Sequence, residues 1–448
     1  MRAADLDGQR VAIWGLGREG RAAMEFLRKR HPSLPLVLLD DAPDARVPEK
    51  YASNVKSAFG AARIADALEE IDVVVKSPGV SLYRPDLISA RKKGVHITSL
   101  LNLWFAEEPD MTTIAVTGTK GKSTTASLIS HVLTRLGRRV ALAGNIGIPV
   151  TDIAGVDYAV IEVSSYQAAD FDGICDLAVL TSLYPEHADW HLTIERYIRD
   201  KIQLLRRARC RIVNRAAADM VDPMIDRSLG TNYLFNDEGG IHSDDTGIFD
   251  GGDWIGIVRN PHLARAHNRS NLCAALAVVK TLGIDLAAAL EATEDYRGLP
   301  HRQQELGESG NTLFVDDSIS TIPESTIAAL EVYAGRDITV ILGGYDRGID
   351  YGKLVEVLLA GAANAVICLG DSGARIFALA QSTLGERGGS AGTLHMARSM
   401  EDAVSLAKRI TPPGGVVLLS PAAPSYGYYR DYIERGHDFA AQACLSSA

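Results

Sequence analysis

No apolar run in the 448 residues reaches membrane-spanning length, which for a helix is about 20 residues. The opening M-R-A-A-D-L-D-G also lacks the apolar segment of a secretory signal, so a cytoplasmic protein without membrane insertion is expected. Positive charge is in deficit: 46 Lys and Arg against 56 Asp and Glu leave a net charge of −10. That balance argues against nucleic-acid binding, while leaving room for a local basic pocket around a phosphorylated small molecule. Cysteine is scarce. Cys175, Cys210, Cys273, Cys368 and Cys444 are odd in number, widely spaced and mostly set in apolar runs, so they read as reduced core residues with neither a metal nor a disulfide pattern.

What is plentiful is apolar sequence, 46% of the chain against 23% charged residues, so a folded soluble protein is expected. At 448 residues the chain is too long for one ordinary core and suggests about three domains. Ile114 to Thr125 reads I-A-V-T-G-T-K-G-K-S-T-T: a β run, a two-glycine turn around a lysine, then the start of a helix. Loop amides, helix dipole and the Lys122 ammonium would converge on a polyphosphate, with Ser123 or Thr124 completing the shell of a Mg²⁺ ion. The full phosphate-loop pattern wants glycine where Val116 stands. A plain glycine-rich turn is the alternative.

The first hundred residues alternate strand and helix. V-A-I-W leads into Gly15, Gly17 and Gly20 in G-x-G-x-x-G spacing, and P-L-V-L-L ends at Asp40 and Asp41, about where a dinucleotide fold places an acid for a ribose hydroxyl. A lone glycine motif is weak, so a nicotinamide dehydrogenase and a simple tight turn both stay open. I-D-V-V-V-K ends in S-P-G-V-S at Ser77 to Ser81, a turn at an edge where α/β ligands bind. H-I-T-S-L-L-N-L-W-F reads as an extended exit, with the boundary between Leu101 and Thr112.

Further strand and helix alternation follows the phosphate loop, implying a mostly parallel sheet. Polar residues stand at its strand ends: Asn145, Glu162, and Y-P-E-H-A-D-W-H from Tyr184 to His191. Glu162 interrupts an apolar run and suits a hard cation, unless it simply faces solvent. Lys201, by spacing alone, reads as a surface lysine of an amphipathic helix. Leu229 to Gly256 looks like a small β meander or loop excursion. Asn268 and Asn271 open a helix, as caps or as groups entering a nucleotide crevice. After Gly298 a third α/β region places His301, Arg302, Asp316, Asp317 and Arg347 in turns and at strand ends, and Arg347 suits an anionic ligand or open solvent.

The ordered set T-G-T-K-G-K-S-T, G-N-I-G, E-V-S-S-Y-Q, E-H-A-D, A-H-N-R-S-N, G-L-P-H-R, D-D-S and L-L-S-P-A-A-P-S resembles the Mur ligases of bacterial peptidoglycan synthesis. L-G-R-E-G, S-P-G-V-S and E-R-G-H-D-F look most like the members that add glutamate to UDP-N-acetylmuramoyl-L-alanine. The resemblance implies three domains: residues 1–105, a Rossmann-like domain holding the UDP end of the substrate and no nicotinamide; 106–298, a central ATP-binding domain; and 299–448, a Rossmann-like α/β domain contacting glutamate and ATP. It implies ATP and two Mg²⁺ ions as cofactors and UDP-N-acetylmuramoyl-L-alanine, glutamate and ATP as partners, with a monomer expected.

The same resemblance carries residue roles. Lys122, His187 and a carbamylated Lys201 would be catalytic, and Ser123, Glu162, His187 and Lys201 would serve the metals. Gly118, Thr119, Lys120, Gly121, Lys122, Ser123, Thr124, Asn268, Asn271, Arg302 and Asp317 would bind ATP. Gly15, Leu16, Gly17, Arg18, Asp40, Ser77, Gly79, Asn145, Ser164 and Gln167 would hold the UDP-substrate. The implied reaction phosphorylates the alanyl carboxylate, then lets the glutamate amine attack, with closure of the last domain completing the site. The glutamate pocket departs from the common pattern: D-S-K-A-T-N is D-S-I-S-T-I here, so Ile319 and Ile322 replace Lys and Asn. Thr321, Arg347, Ser425, Tyr426 and Tyr432 remain for the amino acid. A lost cation beside a carboxylate changes how it is held, and the variant pocket looks like the branch adding L-glutamate. D-glutamate, a dehydrogenase and an idle nucleotide-binding scaffold are the alternatives.

Overall fold

A computed structural model describes the chain except residues 44, 48–50, 52–53, 108, 185–187, 227–229, 388–393 and 445–448. It divides into two compact units, residues 1–296 and 297–448.

The first unit holds two sheets. Strands β1 (Val11–Trp14), β2 (Leu36–Asp40), β3 (Val55–Phe59), β4 (Val73–Lys76) and β5 (His96–Ser99) form a parallel sheet in the order β3-β2-β1-β4-β5. All four residues of both β1 and β4 are buried, as apolar strands covered on both faces must be. Strand order reverses between β1 and β4, so the turns at Gly15 and Ser77 share one carboxyl-edge crevice.

The second sheet comprises β6 (Thr112–Thr117), β7 (Val140–Gly144), β8 (Tyr158–Glu162), β9 (Cys175–Leu180), β10 (Ala208–Asn214), β11 (Thr231–Phe235), β12 (Ile241–Ser243), β13 (Ile248–Asp250) and β14 (Asp253–Gly256). Its order is β14-β13-β12-β11-β10-β9-β6-β8-β7. The sheet is parallel from β7 to β12; β12, β13 and β14 are antiparallel, so the expected meander is present as an extension of this sheet.

The exit from the first sheet corrects the sequence reading. Leu100–Ala106 is a helix, not an extended segment, and Ser99 caps it by accepting the Asn102 N–H. Its first six residues are all buried, so no polar face betrays the helical period. Phe105 packs edge-on to Phe171 at 5.0 Å, and one apolar cluster runs from Leu6 through Leu103 to Leu205. The helix thus joins two α/β layers into one core.

The second unit carries β15 (Gln304–Ser309), β16 (Thr312–Asp316), β17 (Ile338–Leu342), β18 (Ala365–Cys368), β19 (Leu394–Met396) and β20 (Val416–Leu419), ordered β15-β16-β20-β17-β18-β19. Only the β15–β16 pair is antiparallel among the described residues. The cysteines are all unpaired; Cys175, Cys273 and Cys368 are buried and Cys444 is exposed. Among the described residues no helix is long and apolar enough to cross a membrane.

Candidate active site

The phosphate loop leaves β6 and enters the helix Lys122–Arg135. Val116, where the full pattern would have glycine, is a buried strand residue opposite Glu162 and Val179. The turn is made two residues later. Gly118 has φ +151°, and a Cβ there would stand 2.0 Å from Thr181 Oγ1; Gly121 has φ +83°, and its Cβ would stand 2.3 Å from Asn271 Oδ1. Both positions therefore require glycine, for conformation and for room.

Around that turn the predicted residues gather. Lys122 Nζ donates to the carbonyls of Gly118 and Thr119, each at 2.9 Å. Lys120 N–H donates to Ser182 Oγ at 2.8 Å, Ser123 is buried, and the Thr124 carbonyl accepts from Tyr296 Oη. Asn268 and Asn271 lie in the first turns of Ala266–Thr281. Asn271 Oδ1 accepts from Thr125 and its Nδ2 donates to Asn268 Oδ1, so this pair buttresses the loop from behind.

Lys201 is not a surface residue. It is 1% exposed on the helix Ile194–Arg206, and its Nζ donates to the Gly118 carbonyl at 2.8 Å. Tyr197, one turn earlier, places its hydroxyl 2.7 Å from Thr119 Oγ1. Glu162 is likewise buried, ending β8 beside the loop's own strand. Asn145 Nδ2 donates to its Oε1 at 2.9 Å, while its Oε2 has no hydrogen-bond partner. A buried carboxylate oxygen without a donor suits a hard cation. His187 lies outside the described residues. Among the described residues no three His, Cys, Asp or Glu side chains converge as a metal cluster.

At the first sheet, Gly15 takes φ +93°, and a Cβ on Gly20 would fall 1.8 Å from the Gly15 carbonyl. Asp40 accepts the N–H of Leu16 and of Ala42 with its two oxygens, so it braces the glycine turn. Gly17 caps the helix Arg18–Arg30, Ser77 Oγ donates to the Gly15 carbonyl, and Gly79 follows in the same turn as Ser77. Arg18 Nη2 donates to the Gly144 carbonyl at 2.7 Å. Ser164 and Gln167 form a reciprocal capping box, and Gln167 Nε2 reaches Glu19 at 3.3 Å. Burial raises the Glu19 carboxyl, with Arg18 and Lys76 opposing. Arg18 and Gln167 thus carry hydrogen bonds between the first sheet's turns and the second sheet.

In the second unit, Asp317 is buried at the end of β16, accepting from Ser420 Oγ at 2.6 Å and from the Gln303 N–H. Burial pushes its carboxyl up to about 6, against the donors and the charge of Arg302, which is itself exposed. Arg347 Nη2 donates to the Thr321 carbonyl at 3.0 Å. Ser425 is buried and its carbonyl accepts from Tyr428 and Tyr429 N–H, Tyr426 is exposed, and the Tyr432 carbonyl accepts from Ser318 Oγ.

Several residues escaped the sequence reading. Tyr197 is one. Arg435, 2% exposed, grips Ser318 through Nε and Nη2 while Nη1 has no partner; burial lowers it to about 10. The E-R-G-H-D-F motif was the available signal: a Cβ on Gly436 would stand 2.2 Å from His301 Nδ1, which donates to Asp316 at 2.7 Å. Lys76 and Asp170 form a buried ion pair at 3.2 Å, for which the sequence offers no sign.

A phosphate loop on a parallel sheet, joined to a second parallel sheet through one core and followed by a further α/β unit, defines a multidomain nucleotide-using α/β enzyme. Three family descriptions match in chain order: Mur ligase MurD-like, N-terminal domain, over residues 9–99; Mur ligase middle domain over 116–279; and Mur ligase, glutamate ligase domain, over 301–423. The UDP-N-acetylmuramoyl-L-alanine--L-glutamate ligase of Xanthomonas axonopodis pv. citri is 40% identical across 100% of this chain and 98% of its own. Its namesake from Salinispora tropica is 40% identical across 100% of both. The crystal structure of UDP-N-acetylmuramate-alanine ligase from Thermotoga maritima matches the fold with TM-score 0.56 at 20% identity, covering 97% of this chain and 99% of that one. MurF from Acinetobacter baumannii matches with TM-score 0.60 at 15% identity, covering 97% and 90%. The chain belongs to the Mur ligase family. It is accordingly an ATP-dependent, amide-forming ligase.

Proposed function

We propose that this ligase joins L-glutamate to the alanyl carboxylate of UDP-N-acetylmuramoyl-L-alanine, in the cytoplasm and as a monomer, during peptidoglycan precursor synthesis. The observation carrying the proposal is the 40% identity, over the whole chain, to relatives named for that substrate and that enantiomer. Residues 1–105 would hold the UDP end, 106–298 the ATP, and 299–448 the amino acid.

The reaction joins anions, so the enzyme's contribution is positioning and charge neutralisation. Lys122 and the amides of Gly118 to Thr124 would hold the β- and γ-phosphates while a carboxylate oxygen attacks the γ-phosphorus and ADP leaves. The deprotonated glutamate amine then attacks the acyl-phosphate carbon, and the tetrahedral intermediate collapses with loss of inorganic phosphate. Asn268, Asn271, Arg302 and Asp317 would complete nucleotide binding. Thr321, Arg347, Ser425, Tyr426 and Tyr432 would hold glutamate, with Arg347 the cation for a carboxylate.

Mg²⁺ fits the donors in part. The open Oε2 of Glu162 and the buried Ser123 hydroxyl at the helix start are hard oxygen ligands, with His187 and Lys201 as further candidates. An amine is a poor ligand for Mg²⁺, and a carbamate on Lys201 would turn it into an oxygen donor. When bound, the ion supplies positive charge to the phosphate oxygens.

The test is a coupled assay of phosphate release and of product mass. The expected product is the substrate plus one glutamyl residue, with phosphate formed only when UDP-N-acetylmuramoyl-L-alanine, glutamate and ATP are all present. Phosphate release without the amide product would contradict the proposal.

A further inference from the structure

The turn after β4 reaches far beyond its own sheet. Tyr83 Oη lies 2.7 Å from both carboxylate oxygens of Asp200, on the helix Ile194–Arg206. Ser81 Oγ donates to the Trp190 carbonyl at 3.0 Å, and the Tyr83 ring meets Trp190 edge-on at 5.9 Å. The Arg196 guanidinium covers the Tyr83 ring at 4.9 Å. Asp200 also accepts from Nδ1 of the fully buried His191 at 2.6 Å, and His191 Nε2 stands 3.1 Å from Ser165 Oγ. With its oxygens engaged by a hydroxyl and an imidazole, Asp200 serves to hold structure in place.

The same helix grips the phosphate loop. Tyr197 contacts Thr119 at 2.7 Å and Lys201 contacts Gly118 at 2.8 Å. Residues three and four apart are neighbours on a helix surface, so Tyr197, Asp200 and Lys201 form one short rigid cluster. Its loop-facing groups and its Tyr83-facing group cannot be displaced independently. We propose that Tyr83 and Asp200 are positioning residues that couple the Ser77–Tyr83 turn of the first sheet to the phosphate loop, so that nucleotide affinity depends on the Tyr83 hydroxyl. The proposal rests on the reading of Gly118–Thr124 as the ATP site and is independent of which amino acid is added.

A double-mutant cycle on ADP affinity tests it, by calorimetric titration of the full-length wild type, Tyr83→Phe, Asp200→Asn and the double variant. Tyr83→Phe keeps the ring packing and removes one hydroxyl, so it decides the matter even if Asp200→Asn does not fold. Each single change is expected to weaken ADP roughly 5-fold or more, and the double variant no further than the weaker single. Unchanged ADP affinity in folded Tyr83→Phe, with only a lowered unfolding midpoint, would reduce the contact to scaffolding and overturn the proposal, as would multiplicative losses. Lys122→Ala in the same titration separates the two readings. Loss of ADP there with wild-type affinity in Tyr83→Phe rejects the coupling alone, whereas retained affinity in Lys122→Ala rejects the phosphate-loop reading and the coupling together.

Discussion

Lys201 and Lys122 direct their ammonium groups at one acceptor, the Gly118 carbonyl oxygen, at 2.8 and 2.9 Å. Two like charges on a single oxygen repel, and repulsion is strong where water is excluded. On the proposed reading, the polyphosphate would be the counter-ion of Lys122. Lys201, 1% exposed, would be relieved by carbamylation, which turns the cation into an anion. Lys201→Ala is therefore expected to lose about 100-fold or more in turnover and to recover part of it with added formate or acetate. Steady-state rates with and without those acids check this, and full activity in their absence would remove the carbamate.

Gly121, like Gly118, is a loop position with little freedom to change. Alanine would have to adopt φ +83° with its Cβ 2.3 Å from Asn271 Oδ1, a strain of about 1–3 kcal/mol before any shift of the asparagine. Gly121→Ala should weaken ADP by roughly 10-fold or more while the protein stays folded. A titration showing wild-type affinity would mean that the loop relaxes without consequence.

Asp317 makes stability depend on pH. Its carboxyl is raised by burial from 3.8 to about 6, so between those values the folded chain binds more protons than the unfolded one, and this group's contribution falls as pH rises through the window. Asp317→Asn removes the titration. The unfolding midpoint of the wild type, measured against that variant from pH 4 to pH 7, should decline relative to it as pH rises and level off above about 6. A constant difference across the range would show that Asp317 ionises as an ordinary carboxylate.

The parts of this architecture legible in the sequence are those written locally. Glycine turns after apolar runs marked Gly118, Gly121 and Gly15, and strand-end polar residues marked Glu162 and Asp317, because a carboxyl-edge residue follows directly from where an apolar run stops. The helix Leu100–Ala106 was misread because a segment buried on every side has no amphipathic period. Lys201 was legible by spacing only as a surface lysine; its burial comes from packing against a loop 83 residues away. Tyr83 and Asp200, 117 residues apart, carry no pattern that either would show alone.

The central claim is the identity and hand of the added amino acid, and kcat/KM for L-glutamate against D-glutamate, with UDP-N-acetylmuramoyl-L-alanine and ATP saturating, tests it most directly. On the proposed assignment, an apolar Ile319 beside a cationic Arg347 would change where the amino-acid carboxylates are held, and misplacing one such contact is worth a factor of about 100 or more. A preference of that size for L-glutamate is the predicted result. Equal or greater efficiency with D-glutamate would contradict it.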